Sequence, residues 1–240
     1  MLVFGHQNGS AISSKVDTLR IFSELLREYR TILVFTPLSF NDNEPVDILY
    51  MLDGEFSAYW FSELPEEKNN GKVVGIGILT TDRRRDLLPF YKAENFIRYI
   101  DDELIPLIGN RCRVRRQILF GHSFGGATVL YTLLHHETLF DCYIAASAKP
   151  IMDMIEPEFY SNVDENVSGL TGFFIGYGDN DHRTVKKWHR KLISCLNTLD
   201  FKKLRWRSQV FQGASHSDSS TITLLSGMDF YRQLSYAAAR

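Results

Sequence analysis

Short apolar runs recur along the chain and alternate with longer segments in which apolar residues return every three to four positions. Several of these runs are continuous rather than alternating, which is typical of strands buried on both faces of a mainly parallel sheet. The predicted strands are Thr31 to Phe35, Val46 to Leu52, Lys72 to Leu79, Gln117 to Phe120, Cys142 to Ala146, Gly172 to Tyr177 and Leu204 to Phe211.

Amphipathic helices are predicted between and after these strands, over Ala93 to Ile108, Arg183 to Leu199 and Thr221 to Ala237. The alternation of strands and helices implies right-handed crossovers and a three-layer α/β sandwich, with helices on both faces of the sheet. The first two predicted strands have no helix between them, so we expect them to form an antiparallel hairpin at one edge of the sheet.

The composition is that of an ordinary globular protein. Of the 240 residues, 44% are hydrophobic and 23% are charged, which is too apolar for a disordered chain. No linker-like stretch interrupts the apolar pattern, so we expect one domain over residues 1–240. The net charge of −2 offers no overall field that would attract nucleic acid or an anionic membrane. The longest apolar runs, such as Val73 to Leu79, are too short to span a bilayer.

Targeting and metal-binding signals are equally sparse. The first ten residues, MLVFGHQNGS, have neither the basic region nor the long apolar region of a signal peptide, so we expect a cytoplasmic protein, with a processed periplasmic form as the alternative. The three cysteines, Cys112, Cys142 and Cys195, are odd in number and form no C-x-x-C, which favours buried free thiols over a disulfide or zinc site. Neither a nucleotide-binding glycine motif nor an H-E-x-x-H occurs, so we expect no cofactor and no metal.

The most informative segment is Gly121 to Gly126, which reads G-H-S-F-G-G. It contains a G-x-S-x-G motif that directly follows a predicted strand and directly precedes the helical run Ala127 to Leu134. Such a motif places a serine on a sharp, strained strand-to-helix turn, and small flanking residues prevent clashes with the backbone. The helix N-terminus then stabilises a developing oxyanion. Ser123 is therefore the predicted nucleophile, and a spectator serine in a glycine-rich turn is the alternative.

A serine nucleophile needs a base, which in α/β-hydrolases follows the acid in the order Ser, Asp or Glu, His. His216 lies in G-A-S-H-S-D after the last predicted strand, where this architecture carries its histidine. The other histidines fit that place less well. They are His6, His122, His135, His136, His182 and His189. We predict His216 as the base, with a solvated loop histidine as the alternative.

The acid is expected just after the strand Gly172 to Tyr177, where the chain reads G-D-N-D-H. Asp181 is the first choice because G-x-x-D is the usual local pattern at this place, and Asp179 is the competing candidate. One of the two could instead cap the helix that begins near Arg183, which is the commonest role of an aspartate at a helix N-terminus.

The oxyanion hole and the basic residues near it complete the predicted site. The amide of Phe124 is one expected donor, and the second is expected from Gly54 or Glu55 in the loop after Val46 to Leu52. Arg83 and Arg85 form a basic cluster that could hold an anionic substrate, because a guanidinium fits a carboxylate bidentately. Salt bridges within a loop are the alternative interpretation of that cluster.

Six segments, in the same order, resemble those of the putative-esterase family of α/β-hydrolases, which contains esterase D and the enterochelin (siderophore) esterases. Phe22-Ser23 with Tyr29-Arg30 and Ile32 to Pro37 look like the opening hairpin of that family, and Gly121 to Gly126 is its G-H-S-F-G-G. The other matches are Ile48 to Gly54 (L-Y-x-L-D-G), Val74 to Gly77 (V-G-I), Thr81 to Pro89 (R-x-R-D-L-x-P) and Phe96 with Glu103 to Pro106.

The chain also departs from the family. An aromatic S-P-S-x-W-W stretch often follows the sixth strand, whereas this chain has Ala146-Ser147-Ala148-Lys149-Pro150. We also expect no extra N-terminal domain of the kind found in cytosolic enterochelin esterases. The resemblance implies hydrolysis of a carboxylic ester without naming the acyl group or the alcohol.

The predicted function is a serine hydrolase that cleaves a small-molecule carboxylic ester through an acyl-enzyme intermediate. Ser123, His216 and Asp181 would form its triad, and its substrates would be siderophore-esterase-like. An acyltransferase that uses the same triad is one alternative, and a non-catalytic binding protein on the same fold is another. The sequence predicts no oligomeric state.

Overall fold

The computed structural model describes residues 14–41, 43–65, 72–88, 93–148 and 157–238, with the side chains described as far as residue 234. Eight strands lie within these ranges. They are β1 (Ser14–Ser23), β2 (Glu28–Pro37), β3 (Val46–Leu52), β4 (Val73–Ile78), β5 (Val114–His122), β6 (Cys142–Ala146), β7 (Thr171–Gly178) and β8 (Leu204–Phe211).

The strands form one sheet in the order β1-β2-β4-β3-β5-β6-β7-β8. β1 pairs antiparallel with β2, and β2 pairs antiparallel with β4. All the other neighbours are parallel, from the β3–β4 pair to the β7–β8 pair. The predicted class, a mainly parallel sheet with an antiparallel N-terminal hairpin, is confirmed.

The members of the hairpin differ from the two strands predicted for it. Its first strand is β1, which the apolar runs did not predict, although the family resemblance placed Phe22-Ser23 with Tyr29-Arg30 in an opening hairpin. Phe22 pairs with Tyr29 at the end of β1, and β2 continues from it through a turn in which Arg27 has a φ of 56°. The predicted partner, Val46 to Leu52, lies instead as β3 between β4 and β5. β1 escapes a search for apolar runs because charged Lys15, Asp17 and Arg20 interrupt it and much of the strand is exposed.

The core occupies both faces of the sheet, as the continuous apolar strands predict. Along β3, Ile48, Tyr50 and Leu52 pack into one core, which also contains residues of the helices that follow β5 and β7. Leu49 and Met51 point the other way, into a second core that includes residues of the C-terminal helix. Side chains alternate across a strand, so a strand covered on both sides is apolar on both of its faces, and the one buried charge of β3, Asp47, is paired with Arg115.

Eight α-helices surround the sheet within the described residues. They are α1 (Ser57–Ser62), α2 (Arg83–Leu87), α3 (Ala93–Tyr99), α4 (Ile105–Gly109), α5 (Phe124–His135), α6 (Pro157–Asn166), α7 (Arg183–Leu196) and α8 (Asp218–Ala238). A π-helical segment over Ile100–Leu104 joins α3 to α4, so the predicted helix from Ala93 to Ile108 is continuous but not α-helical throughout.

Other expectations concern the cysteines and the membrane. Cys142 is a buried free thiol, Cys195 is also buried, and Cys112 is half-buried. Within the part of the chain that the structure describes, none of the helices is both long enough and apolar enough to cross a bilayer. The cytoplasmic location stays a prediction.

The parallel strands bring distant parts of the sequence together at one edge of the sheet. The carboxyl ends of β3, β5, β6 and β7 lie side by side, because each of these strands is hydrogen-bonded to the next in register. β8 ends beside β7, with Phe211 paired to Gly178. In open α/β sheets, ligands bind at this end of the strands.

Candidate active site

Ser123 occupies a strained turn between β5 and α5. Its backbone has a φ of 58° and a ψ of −108°, a conformation that costs energy for a residue with a Cβ atom. The Ser123 N–H donates to the carbonyl of Ala146 at the end of β6 (2.9 Å), which fixes the turn against the neighbouring strand. A strained serine at this point is the geometry expected of a nucleophile elbow.

The glycine before the elbow is required because two backbone segments approach closely. A Cβ atom at Gly121 would overlap the backbone carbonyl group of Gly125, at the start of α5. Since neither segment can move away without unwinding the first turn of the helix, a side chain at position 121 would prevent this turn from forming.

Asp181, in the loop after β7, is buried and accepts three hydrogen bonds. Its Oδ1 accepts from His216 Nδ1 (2.8 Å) and from the backbone N–H of His182 (2.6 Å). Its Oδ2 accepts from the Ser147 hydroxyl (2.5 Å). Burial raises the pKa of the Asp181 carboxyl, but the three donors outweigh burial and hold that pKa below its ordinary value.

Asp179, the competing acid, faces a different partner. Its carboxylate accepts from the backbone N–H of Gly213 (2.6 Å), and its backbone carbonyl accepts from Lys186 Nζ (2.8 Å). These contacts join the loop after β7 to the turn after β8. The structure thus brings Asp181, and not Asp179, into hydrogen-bond contact with His216.

His216 lies between two other imidazole rings. The centroid of its ring is 4.6 Å from that of His122 and 5.1 Å from that of His182. His122 Nε2 donates to the His216 backbone carbonyl (2.8 Å), so the elbow and the His216 loop are directly joined. Burial, followed by the nearby charge of His216, lowers the pKa of His122 to about 4.

Ser123 directly follows His122, so it lies where the elbow meets the His216 loop. Within the described ranges, no hydrogen bond joins Ser123 Oγ to His216 Nε2. Catalytic hydrogen bonds of this kind are often long in the free enzyme and tighten only when substrate binds.

The loop after β3 lies against the elbow. Asp53 adopts the left-handed conformation with a φ of 57°, and a 3₁₀ turn over Gly54–Phe56 follows. A Cβ at Gly54 would come within 2.6 Å of the Ile78 backbone at the end of β4. Glu55 Oε1 accepts from both the N–H (3.0 Å) and the hydroxyl (3.1 Å) of Thr80, so this loop is held on two sides.

Arg83 joins this loop to the elbow. Its Nε and Nη2 donate to the two carboxylate oxygens of buried Asp53 (2.5 and 2.8 Å), and Nη2 also approaches the carbonyl of His122 (3.5 Å). The guanidinium lies 4.9 Å from the centroid of the Phe124 ring. Asp53 Oδ2 would in turn be 3.3 Å from a Cβ at Gly125, which shows how closely the two segments pack.

Arg85 takes part in a separate ion-pair network. Its guanidinium donates to Glu28 at the start of β2 (2.6 and 3.0 Å) and to buried Asp86 (2.9 Å). These contacts raise the pKa of Arg85 and lower that of Glu28 to about 2. The two arginines therefore differ, because Arg83 lies beside the elbow while Arg85 ties α2 to the N-terminal hairpin.

One group of side chains within the described residues has the composition of a metal site. Single ligand atoms of Asp181, His182 and His216 lie within 4.8 Å of one another. One carboxylate and two imidazoles suit zinc. The Asp181 oxygens, however, already accept from three donors of the protein, and these partners explain the carboxylate without a metal.

Sequence reasoning missed the residues that support the predicted ones. Asp53, His122, Ser147 and Ser219 all contact site residues or each other. The signal that could have found Ser147 is its position directly after β6, because polar residues at the carboxyl end of a parallel strand face the site. The position of Ser219 in the sequence gives no indication that its hydroxyl contacts Ser147.

Comparison with known proteins gives a family match. Residues 23–192 match the family described as Putative esterase, a range that includes Ser123 and Asp181 and ends before His216. The siderophore triacetylfusarinine C esterase of Aspergillus fumigatus is 30% identical over 145 residues, which cover 48% of this chain and 50% of that protein. Ferri-bacillibactin esterase BesA of Bacillus subtilis is 38% identical over 78 residues, 32% of this chain and 26% of that protein. The matches thus span half or less of these relatives.

Solved structures support the fold. An IroE-like serine hydrolase from Shewanella oneidensis superposes with a TM-score of 0.73 at 22% identity, covering 89% of this chain and 79% of the other. The BES protein from Bacillus cereus superposes with a TM-score of 0.78 at 19% identity, covering 94% and 98%. These likenesses concern the fold, and they agree with the predicted α/β-hydrolase architecture.

Proposed function

Because the chain belongs to the family described as Putative esterase, we propose that it is a serine esterase with Ser123 as nucleophile, His216 as general base and Asp181 as the acid that orients the base. The observation that carries this proposal is the hydrogen bond between His216 Nδ1 and buried Asp181 (2.8 Å), beside the strained elbow of Ser123. A carboxylate bound to Nδ1 leaves Nε2 as the proton acceptor, as a triad requires.

The proposed reaction has two steps. His216 Nε2 takes the hydroxyl proton of Ser123 as Oγ attacks the ester carbonyl, and Asp181 stabilises the imidazolium that forms. The alcohol leaves with the proton from His216, and the acyl group stays on Ser123. Water then attacks the acyl-enzyme by the same route, which restores the free serine. No cofactor enters this scheme.

The oxyanion is proposed to bind the amide of Phe124 together with that of Gly54 or Glu55. Phe124 is the first residue of α5, where the helix dipole favours negative charge. The loop of Gly54 and Glu55 packs against this helix start through Asp53, so donors from both segments can point to one oxygen.

The proposed substrate class is a siderophore ester. One relative is named a siderophore triacetylfusarinine C esterase and the other a ferri-bacillibactin esterase, and the proposal extends that class to this chain. Arg83, whose side chain is 39% exposed beside the elbow, is the proposed contact for an anionic group of the substrate. Arg85 is left out of this role because all three of its guanidinium nitrogens donate to Glu28 or Asp86. Arg83 binds Asp53 through Nε and Nη2 only, which leaves its Nη1 for a substrate group.

The test combines labelling with product analysis. A fluorophosphonate should add one group to the wild-type chain, peptide mapping should find it on Ser123, and Ser123→Ala should abolish both labelling and ester hydrolysis. Ser62→Ala, which changes an exposed serine on α1, is the matched control and should label normally. Retention of more than about a thousandth of the wild-type kcat by Ser123→Ala would refute the assignment.

The substrate class is tested separately. Siderophore trilactones and simple acyl esters are offered to the enzyme, and the products are identified by mass spectrometry. Faster cleavage of simple esters than of every siderophore ester would reject the proposed class while leaving the triad intact. Added alcohol in the same assay distinguishes hydrolysis from acyl transfer.

A further inference from the structure

Ser147 lies behind the proposed triad, on the side of Asp181 that faces away from His216. Its side chain is fully buried, and its hydroxyl donates to Asp181 Oδ2 (2.5 Å). The residue follows β6 with a φ of 42°, a strained value for a residue with a Cβ atom. The Ser147 N–H donates to the carbonyl of Gly176 in β7 (2.7 Å), which holds this conformation in place.

A second buried hydroxyl, that of Ser219, contacts the Ser147 hydroxyl. Ser219, in the first turn of α8, lies 2.5 Å from Ser147 Oγ and 2.8 Å from the backbone carbonyl of His216. Ser147, Ser219, Asp181 and His216 therefore form a closed ring, because His216 Nδ1 returns to the other oxygen of Asp181.

The number of hydroxyl protons determines which oxygen of this ring donates to which. The two hydroxyls bring two protons to three oxygen–oxygen contacts, and ionised Asp181 can only accept. Ser147 must therefore donate to Asp181, and Ser219 then donates either to Ser147 or to the His216 carbonyl. That carbonyl already accepts from His122 Nε2, so donation from Ser219 to Ser147 gives Asp181 Oδ2, Ser147 Oγ and the His216 carbonyl a donor each.

We propose that Ser147 is a positioning residue of the active site, supported by Ser219, and that its hydroxyl keeps the Asp181 carboxylate ionised and turned towards His216. This inference rests on the proposed function, because it assumes that Asp181 orients the base. A donor on Oδ2 fixes the plane of the carboxylate and stabilises its charge. Neither serine touches the substrate in this proposal.

The consequence is a specific dependence on pH. A carboxylate that has lost one of its three donors is harder to keep ionised, so it takes up a proton at higher pH. With one donor fewer, the carboxylate also attracts the proton of the His216 imidazolium more strongly. Because the protonated imidazole cannot act as base, the acid limb of the kcat/KM profile should move to higher pH by about half a unit or more when the Ser147 hydroxyl is removed. The loss should appear in kcat, by about tenfold, with little change in KM.

The experiment uses two substitutions at one position. Ser147→Ala removes the hydroxyl and keeps the strained Cβ, whereas Ser147→Gly removes the hydroxyl and relieves the strain. The two variants should melt at different temperatures and yet share the same pH shift. Ser219→Ala should shift the profile in the same direction by less, because its effect passes through Ser147.

The matched control is Ser220→Ala. Ser220 is the next residue of the same helical turn, and its hydroxyl contacts Trp60 Nε1 (3.2 Å) and the Ser217 carbonyl (2.8 Å) instead of the ring. Its pH profile should stay at the wild-type position. In an Asp181→Asn background, Ser147→Ala should cause no further shift, since the group through which it acts is gone.

The outcomes separate the two proposals. If Ser123→Ala abolishes hydrolysis while both Ser147 variants keep the wild-type pH profile, the positioning role is wrong and the esterase stands. If Ser123→Ala remains active, the proposed function itself fails. If Ser147→Ala does not fold, the profile of Ser147→Gly decides, and an unshifted profile there overturns the inference.

Discussion

The sharpest prediction about the site is that the two aspartates after β7 respond in opposite ways to the same change. Asp181→Asn should remove activity, whereas Asp179→Asn should cost only stability. An asparagine keeps the shape of the side chain but brings an N–H₂ group to an oxygen position and removes the negative charge. The two variants therefore differ only in where the charge and the acceptor are lost.

The contacts of Asp181 set the expected magnitudes. Its carboxylate accepts at 2.8, 2.6 and 2.5 Å, and a hydrogen bond to a charged group contributes about 1.5–3 kcal/mol. Asparagine keeps one oxygen, so we expect a loss of about 2 kcal/mol and a melting temperature about 4–8 °C lower. The same replacement in a serine-protease triad lowers kcat about 10⁴-fold, and we expect a loss of that order here.

Asp179 should behave as a loop residue. Its one carboxylate contact is with the Gly213 N–H (2.6 Å), and the residue is partly exposed. We expect Asp179→Asn to lose about 1 kcal/mol and to keep kcat within about threefold of wild type. Loss of activity in Asp179→Asn with activity kept in Asp181→Asn would reverse the assignment, and activity in both variants would place the acid elsewhere.

The assay measures kcat and melting temperature for wild type and both variants, and repeats the melting curves as the pH falls. The pKa of Asp181 is lowered in the folded state, so its contribution to stability is present above the unfolded pKa of about 3.9. That contribution is lost as the pH falls through the folded pKa. Asp181→Asn should therefore lose less stability than wild type in acid, and an equal loss would show that the carboxylate is not held as described.

Two further predictions concern strain and a buried histidine. Ser123→Gly should melt at a higher temperature than Ser123→Ala, because the φ of 58° strains alanine but not glycine, and equal melting temperatures would contradict the strain. His189 is fully buried, neither of its ring nitrogens has a hydrogen-bond partner within the described ranges, and burial lowers its pKa to about 3. The unfolded state protonates below about 6.5, so wild type should lose about 2 kcal/mol through this group between pH 7 and 5, and His189→Leu should lack that loss in denaturant titrations at the two pH values.

Local sequence signals determined most of the fold and the centre of the site. Strands buried on both faces are mostly apolar, so β3, β4, β6, β7 and the buried half of β5 were visible as runs, whereas β8 alternates between buried and exposed positions. The elbow of Ser123 was visible because only small residues fit beside such a turn. The order of Ser123, Asp181 and His216 along the chain follows from the strands that carry them. The apolar pattern missed β1 because the strand is half exposed and charged, and only the family resemblance indicated its end at Phe22-Ser23.

Tertiary structure decided which polar groups meet. Asp179 and Asp181 are two residues apart, and the local pattern favoured Asp181 but left Asp179 as a competitor. Only the packing of β8 beside β7 directs His216 to Asp181. The contact of Arg83 with Asp53 spans 30 residues and that of Ser147 with Ser219 spans 72. Such pairs depend on the order of the strands and on the turns at their carboxyl ends, and no local pattern along the chain encodes those distances.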